Sequence, residues 1–331
     1  MKVLQLTASS GSGGLEKHVV ELTNGLHSAG LDVVFAGPND LIERIASDVP
    51  CFSITSDRSR FSLALHREIF QLVNRVRPDI VHVHGVKAGS VLVRISKFIG
   101  STKSIITIHN SRKSSKRIAS KFDGVICVSD KILETVTNNN RWRIYNGIKS
   151  FQFEESPRGD HFLAVGRLVH DKGFDVLIKA AAQTKTTLKI AGDGSEKKSL
   201  VALVNELGAQ SRIEFLGPVT NVHHLMTRCR GVVISSRNEG FSYVFAEALA
   251  SGTPVISTDV PVANEVLPKR MLCPVDDPDA LAGLLEQFNP KDYEYTELYR
   301  FAKGYFSLDA MISSTSNVYK KLLGLPFEGL N

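Results

Sequence analysis

Long hydrophobic runs are missing from these 331 residues: no apolar stretch approaches the roughly 20 residues that a membrane-spanning helix needs. The first apolar segment, Met1 to Ala8, is interrupted by Gln5 and followed by Gly11-Ser12-Gly13-Gly14, too short for the apolar region of a secretory signal. Cysteine is scarce. Cys51, Cys127, Cys229 and Cys273 stand far apart with no C-x-x-C pair, which excludes a disulfide framework or a zinc ribbon and fits reduced, buried thiols of a cytosolic protein. The 25 glycines and 12 prolines follow no 20–50-residue period, which excludes collagen-like and repeat architectures. What is present is 43% hydrophobic and 22% charged. That composition excludes wholesale disorder, and the length suits two domains of about 150 residues each.

The charge is uneven. Residues 1–150 hold 21 Lys and Arg against 12 Asp and Glu, a balance of +9; residues 151–331 hold 19 against 22, a balance of −3, and the two sum to the chain's +6. A basic half suggests an anionic partner: a membrane surface, a phosphate-bearing acceptor or nucleic acid. The densest run holds Arg112, Lys113, Lys116 and Arg117. It reads either as a membrane or acceptor contact or as a solvated face, and its lack of interleaved aromatics argues against nucleic acid.

Short apolar runs alternate with amphipathic stretches throughout. Strands are expected at Lys2–Ala8, Asp32–Gly37, Asp79–His84, Ser104–His109 and Gly124–Ser129, then at His161–Gly166, Thr187–Ala191, Arg212–Leu216, Gly231–Ser235 and Pro254–Thr258. Helices fall between them. In Ser62–Arg77, for example, Leu65, Ile69, Leu72, Val73 and Val76 recur at helical spacing. Alternating βα units predict an α/β protein of two Rossmann-like, doubly wound parallel-sheet domains. The rhythm breaks in the polar stretch from Gly147 to Asp160, the expected linker. Two such domains would face each other across a cleft, with ligands beyond the carboxyl ends of the strands.

The residues after the strands are therefore the ones to inspect. Gly13 and Gly14 open a helix after the first strand, either as an anion-binding turn or simply as a tight one; Glu16 stands where a dinucleotide fingerprint requires its third glycine. His109 follows a strand, as an acceptor or phosphate contact or as a structural hydrogen-bonder. His82 and His84 alternate on one strand; with no third ligand evident, packing and polar contacts are favoured over metal. Arg167 and Lys172 flank a strand-to-helix turn and would clamp a diphosphate, unless they are merely surface cations. Gly192 and Gly194 flank Asp193 in a turn that would let a flat ring lie against backbone, unless it is only a turn. Most distinctive is the run Glu239-Gly240-Phe241-Ser242-Tyr243, with Glu247 beyond it and Gly252-Thr253-Pro254-Val255 following. Gly240 to Tyr243 are expected to start a helix whose N–H groups suit phosphate oxygens. Glu247 is expected about two turns inside it, in buried surroundings where sugar hydroxyls would satisfy a carboxylate that caps or ion pairs explain less well.

These residues resemble the family-four retaining glycosyltransferases of GT-B fold. The resemblance runs over nearly the whole chain, through Gly13-Gly14, His109, Asn146-Gly147-Ile148, Gly166-Arg167-Leu168 with Lys172-Gly173, Gly192-Asp193-Gly194, Phe215-Leu216-Gly217, the Glu239/Glu247 pair and Gly252-Thr253-Pro254-Val255. It implies an acceptor-binding domain over 1–150, a nucleotide-sugar domain over 151–307, and a final segment, 308–331, whose helix crosses back to the first domain. By the same resemblance Arg167 and Lys172 would neutralise the departing diphosphate, with N–H groups near Gly240, Phe241, Ser242 and Tyr243 assisting. Glu239 would hold the transferred sugar and Glu247 the ribose, and the backbone from Gly192 to Gly194, with Leu216, would border the base. Gly13, Gly14 and His109 would line the acceptor side.

The implied reaction moves a sugar from a nucleotide-diphosphate sugar to a hydroxyl of a glycan or lipid-linked acceptor, as in polysaccharide or lipopolysaccharide synthesis. It uses the nucleotide sugar as co-substrate, with no other cofactor, no required metal and no nucleic-acid partner. The implied location is cytoplasmic, peripheral on the inner face of the membrane. An epimerase or hydrolase of nucleotide sugars on the same scaffold is the alternative, followed by a non-catalytic binding protein. Two departures stand near the sugar and diphosphate: Ser242 where the family often has glycine, and Val262-Ala263-Asn264 where it often has two glycines shortly before Glu265.

Overall fold

A computed structural model describes residues 1–11, 13–110, 113–149, 159–290 and 295–327. The contacts divide the chain into two units, Met1–Gly147 with Ser307–Asn331, and Ile148–Phe306. The break after Gly147 falls three residues before the expected boundary, and the downstream break precedes Ser307.

The first unit holds β1 (Lys2–Thr7), β2 (Asp32–Gly37), β3 (Cys51–Ser53), β4 (Ile80–His84), β5 (Lys103–Ile108), β6 (Gly124–Cys127) and β7 (Arg141–Arg143), in spatial order β3-β2-β1-β4-β5-β6-β7. Every pairing is parallel. Leu4 pairs with Val34 on one side and Val81 on the other. Strands covered on both faces by helices are apolar almost throughout, and β1 is buried from Val3 to Thr7. The sequence spacing fixes the helices in the same way. Helix Leu63–Val76 buries Leu65, Ile69, Leu72 and Val73; the Ser62 hydroxyl accepts from Leu65 N at its start, and Arg77 closes it in the left-handed conformation.

Helix Leu308–Leu322 returns to this unit. Met311, Val318 and Tyr319 join Val3, Leu22, Leu26, Val33, Ile80, Ile105 and Ile126 in one buried cluster. Where it meets helix Gly14–Ser28, a Cβ on Gly25 would lie 2.2 Å from the Ile312 side chain, so any larger residue there would force Ile312 to move.

The second unit holds β8 (Phe162–Val165), β9 (Leu188–Ala191), β10 (Ile213–Gly217), β11 (Gly231–Ile234), β12 (Val255–Thr258) and β13 (Leu272–Cys273), in order β10-β9-β8-β11-β12-β13, again all parallel. Both sheets are doubly wound. Strand order reverses between β1 and β4 in the first and between β8 and β11 in the second. Loops diverge at such switch points and open a crevice at the carboxyl ends of the strands.

Three short strands, β3, β7 and β13, stand outside the sequence expectation, as do helices Asn39–Ile42, Lys113–Ala119, Ala263–Val266 and Tyr295–Tyr305. Most of the expected linker, residues 150–158, lies outside the described residues; just before it, Ile148 N donates to Phe306 O at 2.7 Å. No helix among the described residues is long and apolar enough to cross a membrane.

Candidate functional site

At the second sheet's switch point, the β8 loop and the β11 loop are tied together by hydrogen bonds. After β8 the chain makes a single tight turn, His170–Lys172, and enters helix Phe174–Gln183 through Gly173 at φ +62°. A Cβ on Gly173 would sit 2.1 Å from Ser235 O, so this close approach of backbones requires glycine. Ser235 Oγ donates to Lys172 O at 2.9 Å, and Arg237 N donates to Asp171 O at 2.8 Å. The Arg237 guanidinium makes a bidentate pair with Asp175 at 2.8 and 2.7 Å, donates to His170 O at 2.8 Å, and donates from Nε to Asp276. These bonds hold Asp175 below the usual carboxylate range and push Arg237 further up.

That brace presents Lys172 to Glu239. Lys172 Nζ donates to Glu239 Oε1 at 2.5 Å, and Ser236 Oγ donates to the same oxygen at 2.8 Å. Glu239 is 9% exposed, while the Lys172 side chain is 25% exposed. Lys172, Ser236, Glu239 and Ser242 line one small cavity. Ser242 caps helix Tyr243–Ala250, its hydroxyl accepting from Phe245 N at 3.3 Å.

The helix spans Tyr243–Ala250, as the helical pattern there predicts. Two finer expectations are corrected: Gly240 to Ser242 precede the helix as its approach and cap rather than forming its start, because the Ser242 hydroxyl competes for the first free N–H groups. Glu247 accordingly lies one turn inside the helix, and it is half-buried rather than buried. Phe241 is buried, its ring 5.4 Å from that of Tyr243 and 5.5 Å from that of Phe306. The Arg167 side chain is exposed and makes no hydrogen bond or ion pair among the described residues; only its backbone carbonyl is used, accepting from Val169 N at 2.9 Å. Lys172 and Arg167 are therefore not alike: one is held in a pair and the other is open to solvent.

Gly192 and Gly194 pack on the Arg167 turn. Gly192 has φ +140°, and a Cβ there would lie 1.9 Å from Gly166 O; one on Gly194 would lie 2.3 Å from Leu168 O. Leu168 N donates to Asp193 O at 2.9 Å, and Glu196 N to Leu168 O at 2.9 Å. Leu216 sits in β10 at an irregularity of the β9 pairing, half-buried. Val262, one of the departures from the family pattern, takes φ +71° while fully buried. A β-branched residue there costs on the order of 1–3 kcal/mol, which a glycine avoids.

At the first sheet's switch point the chemistry is different. Gly13 caps helix Gly14–Ser28 without a side chain, and Ser9 Oγ donates to Glu16 Oε1 at 2.7 Å beneath it. His18 on that helix, His82 and His84 on β4, and His109 after β5 form a cluster, with ring centroids 4.3 Å apart for His82–His84 and 4.7 Å for His18–His109. Burial lowers His18 to about 4 and takes His82, His84 and His109 well below the usual histidine value, with neighbouring histidines adding to the shift in the last three. All four are thus neutral at pH 7. The sequence pointed to His109 but passed over His18, whose one signal is a histidine on the apolar face of a helix, beside Val19 and Leu22.

The basic run forms part of a groove. Arg112 lies outside the described residues. Lys113 and Arg117, on helix Lys113–Ala119, line a groove with Arg60, Arg94, Lys121 and Phe61; Lys116 is half-buried on the same helix. Arg60 and Arg94 lie over the Phe61 ring, at 5.1 and 4.9 Å from its centroid, and Phe61 is 63% exposed.

Comparison with known proteins places this fold in a class. Anabaena HepE, solved in complex with UDP, superposes with a TM-score of 0.83 over 98% of this chain and 100% of that one, at 20% identity. In sequence, the Glycosyltransferase Family 4 profile matches residues 12–150 and the Glycosyl transferases group 1 profile matches residues 148–303. The chain belongs to the group 1 glycosyltransferases, with the two-domain GT-B fold. An uncharacterized glycosyltransferase of Methanocaldococcus jannaschii is 32% identical over 236 residues, 65% of this chain and 63% of that protein. The phosphatidyl-myo-inositol mannosyltransferase of Mycolicibacterium smegmatis is 27% identical over 314 residues, 82% of this chain and 80% of that protein.

Proposed function

We propose that the protein is a retaining glycosyltransferase that moves a sugar from a nucleoside-diphosphate sugar to a hydroxyl of a lipid-linked or glycan acceptor. The observation that carries this reading is the Lys172–Glu239–Ser236 group at the second sheet's switch point, within the stretch the group 1 profile matches. Both bonds to Glu239 fall on Oε1, which leaves Oε2 to accept hydroxyls of the transferred sugar. An ammonium has three donors. Lys172 therefore keeps two for a phosphate oxygen while it holds Glu239. Arg167, with its guanidinium in solvent, adds a second cation. Backbone N–H groups near Gly240, Phe241, Ser242 and Tyr243 add partial positive charge. Glu247 would take the ribose, with the tight backbone at Gly192 and Gly194 and the bulge at Leu216 bordering the base.

In the reaction, the bond from the anomeric carbon to the diphosphate oxygen breaks, and the acceptor hydroxyl forms its bond on the same face. The departing diphosphate takes the hydroxyl proton. Negative charge grows on the leaving group, so cations fixed in advance stabilise the transition state more than the ground state. No step needs a metal. In the first unit, Gly13, Gly14 and His109 would line the acceptor side.

The groove of Arg60, Arg94, Lys113, Arg117 and Lys121 around exposed Phe61 supports a peripheral contact with an anionic membrane surface on its cytoplasmic face. The mycobacterial relative, a phosphatidyl-myo-inositol mannosyltransferase, is named for a lipid acceptor, which supports one here. Such an acceptor suits cell-surface polysaccharide or lipopolysaccharide synthesis.

The test is a panel of nucleoside diphosphates and their sugars scored by thermal stabilisation, since a ligand of the folded state raises its melting temperature. One base should stabilise strongly. Lys172→Ala should lower transfer by roughly 10²–10³-fold. No stabilisation by any member sinks the reading; donor turnover at the same rate without acceptor favours the epimerase or hydrolase instead.

A further inference from the structure

We propose that His18, His84 and His109 form a site for one divalent transition-metal ion of zinc's class. The three come from separate elements, helix Gly14–Ser28, the end of β4 and the residue after β5, all in the first unit. One ring nitrogen from each lies within 4.8 Å of the other two, and among the described residues this is the only such group of three. Four buried ring nitrogens here make no well-formed hydrogen bond: both of His18, although the Asn146 side chain lies near it, Nδ1 of His84 and Nε2 of His109. A buried polar atom left unmatched costs about 1–3 kcal/mol. Four in one cluster call for an occupant that accepts several lone pairs at once.

Hydrogen-bond polarity shows which nitrogen of His84 is bare. Its Nε2 lies 2.8 Å from Gln5 Oε1, an acceptor, so Nε2 carries the proton and Nδ1 the lone pair. The Gln5 amide donates to the Tyr319 hydroxyl at 2.8 Å. That hydroxyl therefore turns its own proton to His82 Nδ1 at 2.6 Å, and His82 Nε2–H donates to Thr107 Oγ1 at 2.7 Å. His82 is thus used on both sides and cannot ligate. His84 has the arrangement of a metal ligand whose far nitrogen is fixed by a second-sphere oxygen.

A tetrahedral zinc site with bonds of about 2.0–2.1 Å sets its ligand nitrogens roughly 3.4 Å apart. Closing from 4.8 Å takes ring movements of about an ångström, within the reach of side-chain rotation. Three neutral ligands leave the ion's charge uncompensated, so the fourth position suits an anion such as hydroxide or a phosphate or carboxylate oxygen. A ligand through Nε2 of His109 leaves its Nδ1 for contacts on the acceptor side. The inference stands on the first unit's geometry and not on the transferase reading.

The experiment uses tag-free, chelator-treated protein titrated with Zn²⁺ and with Co²⁺. One ion per chain should bind, with the visible absorption of four-coordinate cobalt and X-ray absorption showing three imidazoles on the native protein. His18→Gln, His84→Gln and His109→Gln should each weaken binding at least 100-fold, and Gln5→Leu, through the second sphere, 10–100-fold. His27→Gln, at the exposed His27–Asp48 pair, should leave binding unchanged. If the native protein takes up no ion, the nitrogens are satisfied by ordered water and the proposal fails. It fails equally if fewer than three imidazoles are seen, or if binding survives all three ligand substitutions.

Discussion

The two switch points share a topology and differ in chemistry. At the end of β11, every charged group of the Lys172–Glu239 and Arg237–Asp175–Asp276 sets has an opposite charge in contact. At the ends of β4 and β5 the groups are histidines, neutral and largely unmatched. Equivalent positions in a doubly wound sheet thus supply a place for chemistry without specifying its kind. The paired site is built to meet an anion; the histidine site resists charge of its own.

Acid should separate the two most sharply. A histidine held below its ordinary value binds fewer protons folded than unfolded, so its contribution to stability is intact above pH 6.5 and is lost as pH falls toward the folded value. For His18 that window runs from 6.5 to about 4. In metal-free protein the loss should reach about 3 kcal/mol from this residue alone, with His82, His84 and His109 adding to it. Asp175, depressed from 3.8, loses its contribution only at lower pH. Hydrogen exchange at pH 7.5 and 5 should therefore show β4 and β5 opening while β8 and β11 stay protected. Equal loss in both sheets would erase the contrast.

A smaller break comes from Arg237→Ala. It removes a bidentate pair and two further bonds, and should cost about 2 kcal/mol, since hydrogen bonds to charged groups contribute about 1.5–3 kcal/mol each and this one is partly solvated. Denaturant unfolding of the second unit measures it. Donor affinity should fall with it, because Arg237 holds the Lys172 turn in place. Unchanged donor binding would detach the brace from the site.

The smallest effect concerns the first unit's surface. Lys113→Glu with Arg117→Glu should weaken binding to phosphatidylglycerol vesicles by about 1 kcal/mol per cation removed, at low salt, and leave unfolding within about 0.5 kcal/mol of the native protein. Sedimentation with vesicles checks this. Absence of binding by the native protein would remove the membrane from the reading.

Much of this was legible in the sequence. Parallel strands buried on both faces announce themselves as apolar runs, and β1, β2, β4 and β11 fall within a residue or two of expectation. The strands of two or three residues, β3, β7 and β13, are too short to show a period and exist because a neighbour pairs with them. Helix Lys113–Ala119 hid inside a charge run. Lys172 and Glu239 stood out by their motifs, but their pairing joins positions 67 residues apart, and the Arg237–Asp175 bond spans 62. Local pattern carries no trace of such contacts. His18 was missed for a related reason: its meaning comes from β4 and β5.

Tyr319 gives the first unit an unusual timetable. Its hydroxyl closes the polar chain through Gln5 and His82, bridging 314 residues of sequence. During synthesis, β1 to β7 leave the ribosome while that partner is still unmade, and the whole second unit must emerge before it. Until then Gln5 and His82 lie under an uncovered apolar face, and the nascent sheet is a client for chaperones rather than a finished domain.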